Sequence, residues 1–367
     1  MLKIIAFAAT ISTLCCGSAM SAEVKKNNRI KLYPVPRSSV LKEKGYIVWG
    51  ASMVQSEDGT CHLFYCRWKG ALMDWCNGAE IVHATASNPL GPYEPQKAVL
   101  GPTKEGNNAW DGLSVFNPTV MRFDDKYYLY YSGSNGSNFP IINKDGSFKT
   151  SPNDTVITQR IGVAVADHPA GPWKRMKDPL IGLSKDGIGS HMCCNPTVTQ
   201  TPDDRFMMIY KCSSGRPRGN SGGIYLTVAF SDSPAGPFKK TQQKILTHKD
   251  SRFPVEDPFV WRQDDKYYCV ADDQRGDVSG EHGLILFESE DGMKWQKSTP
   301  FVLSRCQIAW ADGQTEPVRN FERPQIWLKD GKPAVLFAAI RKGEDCFNLH
   351  IPLQALESDV TKMKLTK

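Results

Sequence analysis

Apolar residues along this chain fall in short runs broken by turn residues, and no stretch repeats them at the spacing of an amphipathic helix. His62-Leu63-Phe64-Tyr65, Tyr127 to Tyr131, Phe206 to Tyr210, Tyr267 to Val270 and Ala334 to Phe337 are the clearest runs. A turn pair precedes each: Asp58-Gly59, Asp124-Asp125, Asp203-Asp204, Asp264-Asp265 and Asp330-Gly331. Asp and Gly suit the backbone of a two-residue hairpin, so each region predicts strand, tight turn, strand.

A second signal lies just upstream of each turn. Asn117-Pro118-Thr119-Val120, Asn195-Pro196-Thr197-Val198, Asp257-Pro258-Phe259-Val260 and Arg323-Pro324-Gln325-Ile326 share one pattern, with Ala51-Ser52-Met53-Val54 read as a degenerate first copy. Counted from Ser52, the spacings are 66, 78, 62 and 66 residues. A third signal, a turn ending in an aromatic, recurs as Pro89-Leu90-Gly91-Pro92-Tyr93, Pro169-Ala170-Gly171-Pro172-Trp173 and Pro234-Ala235-Gly236-Pro237-Phe238, and in weaker form as Asp291-Gly292-Met293-Lys294-Trp295. Five hairpin-rich units of similar length predict an all-β, five-bladed β-propeller in one domain spanning 30–367. A two-sheet sandwich would not explain the fivefold return of the same motif. Ile30 to Pro36 is expected to pair with the last blade and close the ring.

The first 22 residues carry Lys3, an apolar run from Ile4 to Leu14 and small residues up to Ala22, which predicts a cleaved signal peptide and a secreted or periplasmic protein. Residues 23–29 read as a polar tail. No apolar run reaches the length of a membrane span. The net charge is +6 with its basic residues scattered, which argues against a nucleic-acid partner. Nine cysteines remain beyond the signal; most sit in apolar strand runs and are expected to be buried thiols.

In a radial fold the five repeated motifs converge on one funnel. The two positions at each motif read Gly50-Ala51, Phe116-Asn117, Cys194-Asn195, Glu256-Asp257 and Glu322-Arg323. Carboxylates, amides and a guanidinium at otherwise similar strand starts suit a site, because buried charge is costly in a core. Trp49, Trp110, Asp111 and His191 lie near these starts, and Arg67, Lys211, Asp273, Arg275 and Arg341 at strand exits. Aromatic faces beside amides and charges fit a carbohydrate. Trp49, Arg67, Trp110, Asn117, His191, Asn195, Lys211, Arg275 and Arg323 are the candidate substrate contacts. Trp173, Trp261, Trp295 and Trp327 read as packing residues.

On these motifs the chain resembles the five-bladed propeller glycoside hydrolases, the group containing families 43, 32, 68, 117 and 130, over essentially its whole mature length. In family 43 the general acid is the Glu of a Glu-Gly-Pro motif opening the fourth blade, so the resemblance implies that role for Glu256 in Glu256-Asp257-Pro258. The family's base and its pKa-modulating Asp map to Ala51 and Asn195, which is a departure from the pattern. A glycosidase needs a second carboxyl group. Glu322, at the equivalent position of the next blade, is the first choice, with Asp111 or Asp273 as alternatives. Asp257 is a poorer partner for Glu256, since neighbours on a regular strand face opposite ways. No cofactor is expected. A calcium or sodium ion occurs in parts of this group, and Asp or Asn side chains could hold one here.

Two other readings stay open: a phosphorylase of the family 130 kind, and a sugar-binding propeller without catalysis. The cations could serve a phosphate, or a sulfate or uronate on the substrate. Gly219-Asn220-Ser221-Gly222-Gly223 fits an esterase pattern but lies before a strand rather than in a strand-to-helix elbow, and His191-Met192-Cys193-Cys194 lacks the second cluster a zinc site needs.

Overall fold

The computed structural model describes residues 30–103, 109–135, 158–185, 187–214 and 223–354. The signal segment, the 23–29 tail and most of the 219–223 motif lie outside them. Five antiparallel four-stranded sheets form the five blades. Their innermost strands are Ile47–Gln55, Ser114–Phe123, Met192–Gln200, Glu256–Gln263 and Asn320–Lys329. Each blade then runs outward by hairpins, so blade III, for example, continues through Phe206–Ser213, Ile224–Ser231 and Lys239–Ile245. A single 3-10 turn, Leu72–Cys76, is the one helical element among the described residues.

Sequence and burial agree strand by strand. The inner strands are covered on both faces, so burial runs almost unbroken along them even where Asn, Asp, Glu or Thr stand in the sequence. The outer strands Glu94–Leu100 and Lys239–Ile245 are largely exposed and rich in Lys, Gln and Glu, which blunts their free edges. The apolar side chains gather into five clusters, one in each interface between neighbouring blades. Trp173, Trp261, Trp295 and Trp327 all pack there. Cys61, Cys66, Cys193, Cys194, Cys212, Cys269 and Cys346 are buried thiols.

The repeated turns have a local cause. Asp124, Asp204, Asp264 and Asp330 adopt left-handed φ angles of 49 to 58°, which Asp accepts more readily than most residues. In the Pro-Gly-Pro-aromatic turns the ring folds back over its own turn: Tyr93 Oη donates to the Pro89 carbonyl at 3.0 Å and Trp173 Nε1 to the Pro169 carbonyl at 3.2 Å.

Ring closure differs from the expectation for Ile30 to Pro36. The strand that completes the last blade is Val40–Leu41, paired with Leu349 and Asn348 on Asp345–Pro352. Residues 30–36 run beside it, with Tyr33 N donating to the Pro352 carbonyl at 2.9 Å and Val35 bridging to Trp310 of a small hairpin between blades IV and V. Pro34 and Pro36 lack the N–H groups a ladder needs, which confines pairing there to isolated bonds.

Candidate active site

Every inner strand carries a one-residue irregularity at the same place. Pairing skips between Trp49 and Ala51, Phe116 and Thr119, Cys194 and Thr197, Glu256 and Phe259, and Glu322 and Gln325. The residue at the skip has a left-handed φ of 45 to 54°: Gly50, Asn117, Asn195, Asp257 and Arg323. Gly50, not Ala51, is therefore the blade I counterpart, and Ala51 takes the place of the repeated Pro. Like Ala51, Gly50 has no carboxylate. For Arg323 this backbone is strained, the kind of outlier that collects at functional sites.

These five residues meet around the axis. Asn117 Nδ2 donates to Asn195 Oδ1 at 2.8 Å, and Asn195 Nδ2 donates to Asp257 Oδ1. Arg323 Nη1 lies 3.6 Å from the same Asp257 oxygen. Arg323 is 1% exposed, and none of its three side-chain nitrogens has a hydrogen-bond partner among the described residues. A Cβ on Gly50 would stand 3.4 Å from Arg323 Nε, so the missing side chain in blade I makes room for the long one in blade V.

One residue upstream, the five positions divide into an apolar side, Trp49, Phe116 and Cys194, and an acidic side, Glu256 and Glu322. All five are buried. Lys211 of blade III donates its ammonium to Glu256 Oε2 and lies 3.8 Å from Asp257 Oδ1. The two side chains reach one ammonium because the strand is irregular between them, so the alternation that was to separate Glu256 from Asp257 does not apply. Burial outweighs the lysine and pushes Glu256 up to about 7, with Asp257 and Glu322 adding to the rise. Glu322 is likewise raised, first by burial and then by Asp257, while Asn320 Nδ2 and Gln274 Nε2, the latter at 3.4 Å, donate to its Oε1.

At the blade IV strand exit, Asp272 rather than Asp273 joins the cluster, together with His282, which no sequence motif marks. Asp272 sits opposite Glu256 across the hairpin, is fully buried and has a carboxyl pushed well above its usual range by burial and by Glu322 and Glu256. His282 Nε2 lies 3.0 Å from Asp272 Oδ1. Strand alternation would have chosen Asp272 over its neighbour. Asp273 turns to the other face, where its carboxylate accepts bonds from Val278 N and Ser279 N and shapes the 276–280 turn.

Other candidates lie apart from this cluster. Asp111 is held by Arg175 Nη1 at 2.9 Å and Tyr131 Oη at 2.8 Å, inside blade II. Trp110 stacks on Tyr131, donates to the Lys177 carbonyl and covers Gly133 and Gly162. Arg67 is taken by Glu43 and Glu80 and stacks on Tyr46. His191 Nδ1 pairs with Ser190 Oγ at 3.1 Å. Arg275 is exposed over the Phe253 ring, and Arg341 donates to the Gly343 carbonyl. The cations that a phosphate site would need are thus dispersed or neutralised.

Comparison with known proteins supports the same group. Residues 186–316 match the glycosyl hydrolases family 32 N-terminal domain. Among solved structures, a thermostable family-43 glycoside hydrolase superposes with a TM-score of 0.56 at 16% identity, covering 87% of this chain and 91% of the other. The fold is that of the five-bladed propeller glycoside hydrolases. A family 117 glycoside hydrolase produced by the marine bacterium Zobellia galactanivorans (TM-score 0.55, 15% identity, 89% of each chain) has the same propeller architecture. So does the endo-arabinase from Bacteroides thetaiotaomicron (TM-score 0.56, 11% identity, 89% of this chain and 98% of the other). No curated protein matches the sequence.

Proposed function

We propose that this protein is a glycoside hydrolase that acts on an oligosaccharide or polysaccharide fragment outside the cytoplasm, with Glu256 as the proton donor. The observation that carries this reading is the Glu256 carboxyl: it is buried, held on the axis side of blade IV by Lys211, and raised to about 7, where a carboxylic acid keeps its proton at working pH and can still give it up. Glu322, in the matching position of the adjacent blade, is the second carboxyl group that the chemistry requires. Trp49 and Phe116, in the matching positions of blades I and II, are packed into the core between those blades and back the funnel there. The match to a glycosyl hydrolase domain over residues that include Glu256 points the same way. Secretion follows from the signal-like first 22 residues. A sulfate or uronate on the substrate is favoured by exposed Arg275.

A turnover screen against neutral, uronate-containing and sulfated oligosaccharides, with and without phosphate, tests the reading. Phosphate-independent release of sugar, lost in Glu256→Gln while substrate binding persists, is the expected result. Turnover unchanged in the variant would remove Glu256 from the mechanism, and release of a sugar phosphate would make the protein a phosphorylase.

A further inference from the structure

Four carboxyl groups are buried within reach of one another: Glu256, Asp257, Asp272 and Glu322. Two permanent cations accompany them, and both stand on one side. Lys211 reaches Glu256 and Asp257, and Arg323 reaches Asp257. Asp272 and Glu322 are left with His282, Gln274 and Asn320. Burying two carboxyl groups with a single imidazole as their one candidate counter-charge among the described residues is a costly arrangement for a core.

The geometry of this second pair is that of a ligand set. One donor atom each from Asp272, His282 and Glu322 lies within 4.8 Å of the other two. The 3.0 Å between His282 Nε2 and Asp272 Oδ1 corresponds to an angle of roughly 90° at an ion with bonds of about 2.1 Å to both. Independently, Asp272 Oδ2 is buried with no hydrogen-bond partner among the described residues, although its residue is fully enclosed. Buried carboxyl oxygens are ordinarily bonded, whether charged or neutral. We infer that Asp272, His282 and Glu322 bind a divalent transition-metal cation, of the zinc or manganese class, beside Glu256. The imidazole selects this class over calcium and magnesium, which prefer all-oxygen sites. Three protein ligands leave coordination positions open for water or for neighbouring sugar hydroxyls, and the ion's charge balances both carboxylates. The catalytic value of the ion rests on the hydrolase reading above; the binding site itself does not.

The test strips the purified protein with EDTA and titrates it by calorimetry with zinc chloride, manganese chloride and calcium chloride in separate runs, with metal content before stripping counted by mass spectrometry. One zinc or manganese ion per chain, bound at least tenfold more tightly than calcium, is expected. Asp272→Asn and His282→Gln should each weaken that binding at least tenfold with circular dichroism unchanged; the half-exposed edge of His282 makes its variant the safer of the two for folding. Absence of a stoichiometric ion in the wild type, preference for calcium, or undiminished binding in His282→Gln would each overturn the assignment. Binding without any glycoside turnover would sink the hydrolase reading and leave the site standing. Turnover indifferent to EDTA, with no ion bound, would do the reverse.

Discussion

Lys211 donates its ammonium to Glu256 across the boundary between blades III and IV, so the proposed acid and its counter-charge come from different sheets. The lysine holds the Glu256 carboxyl lower than burial alone would set it. Lys211→Met should therefore move the alkaline limb of the kcat/KM profile upward, by about 1 pH unit or more. A limb that stays put or falls would mean that another group titrates in that profile.

Gly50 is the second point at which blades speak to each other. Its φ of 45° admits Asn or Asp better than a β-branched residue, and a Cβ there would stand 3.4 Å from Arg323 Nε and 3.6 Å from Asn117 Oδ1. Both variants must displace Arg323, but Gly50→Val adds backbone strain of about 1 to 2 kcal/mol that Gly50→Asn largely avoids, so Val should be the more destabilising of the two. Denaturant melts of the two variants make the comparison, and equal losses would argue against the assigned backbone.

Asp111 has the opposite character. Its carboxylate joins Arg175 and Tyr131 inside blade II. Removing it strands a largely buried guanidinium, so Asp111→Ala should lower stability by about 3 kcal/mol. The kcat/KM of the folded variant should equal that of the wild type, and a specific loss of activity would return Asp111 to the site.

Acid should weaken the fold through its histidines. Burial pushes His350 down to about 4, with its Nδ1 bonded to the Leu90 carbonyl. His62 and His83, stacked and joined at 2.9 Å, are also lowered to about 4, chiefly by burial. A ring that stays neutral when folded but takes a proton near 6.5 when unfolded contributes stability that is complete above 6.5 and lost as pH falls through 4. The contribution of His350 alone amounts to as much as about 3 kcal/mol. The buried carboxyls of Glu256, Asp272 and Glu322 act in the opposite direction, so the histidine contribution is read by difference: between pH 7 and pH 4 the melting temperature of the wild type should drop relative to that of His350→Gln.

The propeller was legible because turn chemistry and the strand-start motif recur together, and two independent signals at one spacing leave few alternative folds. In blade I the motif reads one residue late. Its motif lacks the Pro, and Val54 offered an attractive match to Val120. The left-handed backbone carried the better clue, since Gly joins Asn, Asn and Asp as residues that accept it, whereas Ala does not. Glu256 and Glu322 could be placed because they precede that conformation in their blades. Asp272 and His282 could not, because they come from the hairpin's second strand and the turn beyond it, where pairing register decides which of two adjacent aspartates faces inward. The same holds for the cations: Lys211 and Arg67 look alike at their strand exits, and only their neighbours show that both are already neutralised.

Val40 and Leu41 supply the outer strand of the blade whose inner strand carries Glu322 and Arg323. A ribosome makes these two edges of one sheet roughly 280 residues apart. During synthesis the early strand has no partner until Asp345–Pro352 arrives, and the acidic side of the funnel is completed in the same event. Joining the two distant segments therefore closes the ring on the very sheet that carries Glu322 and Arg323.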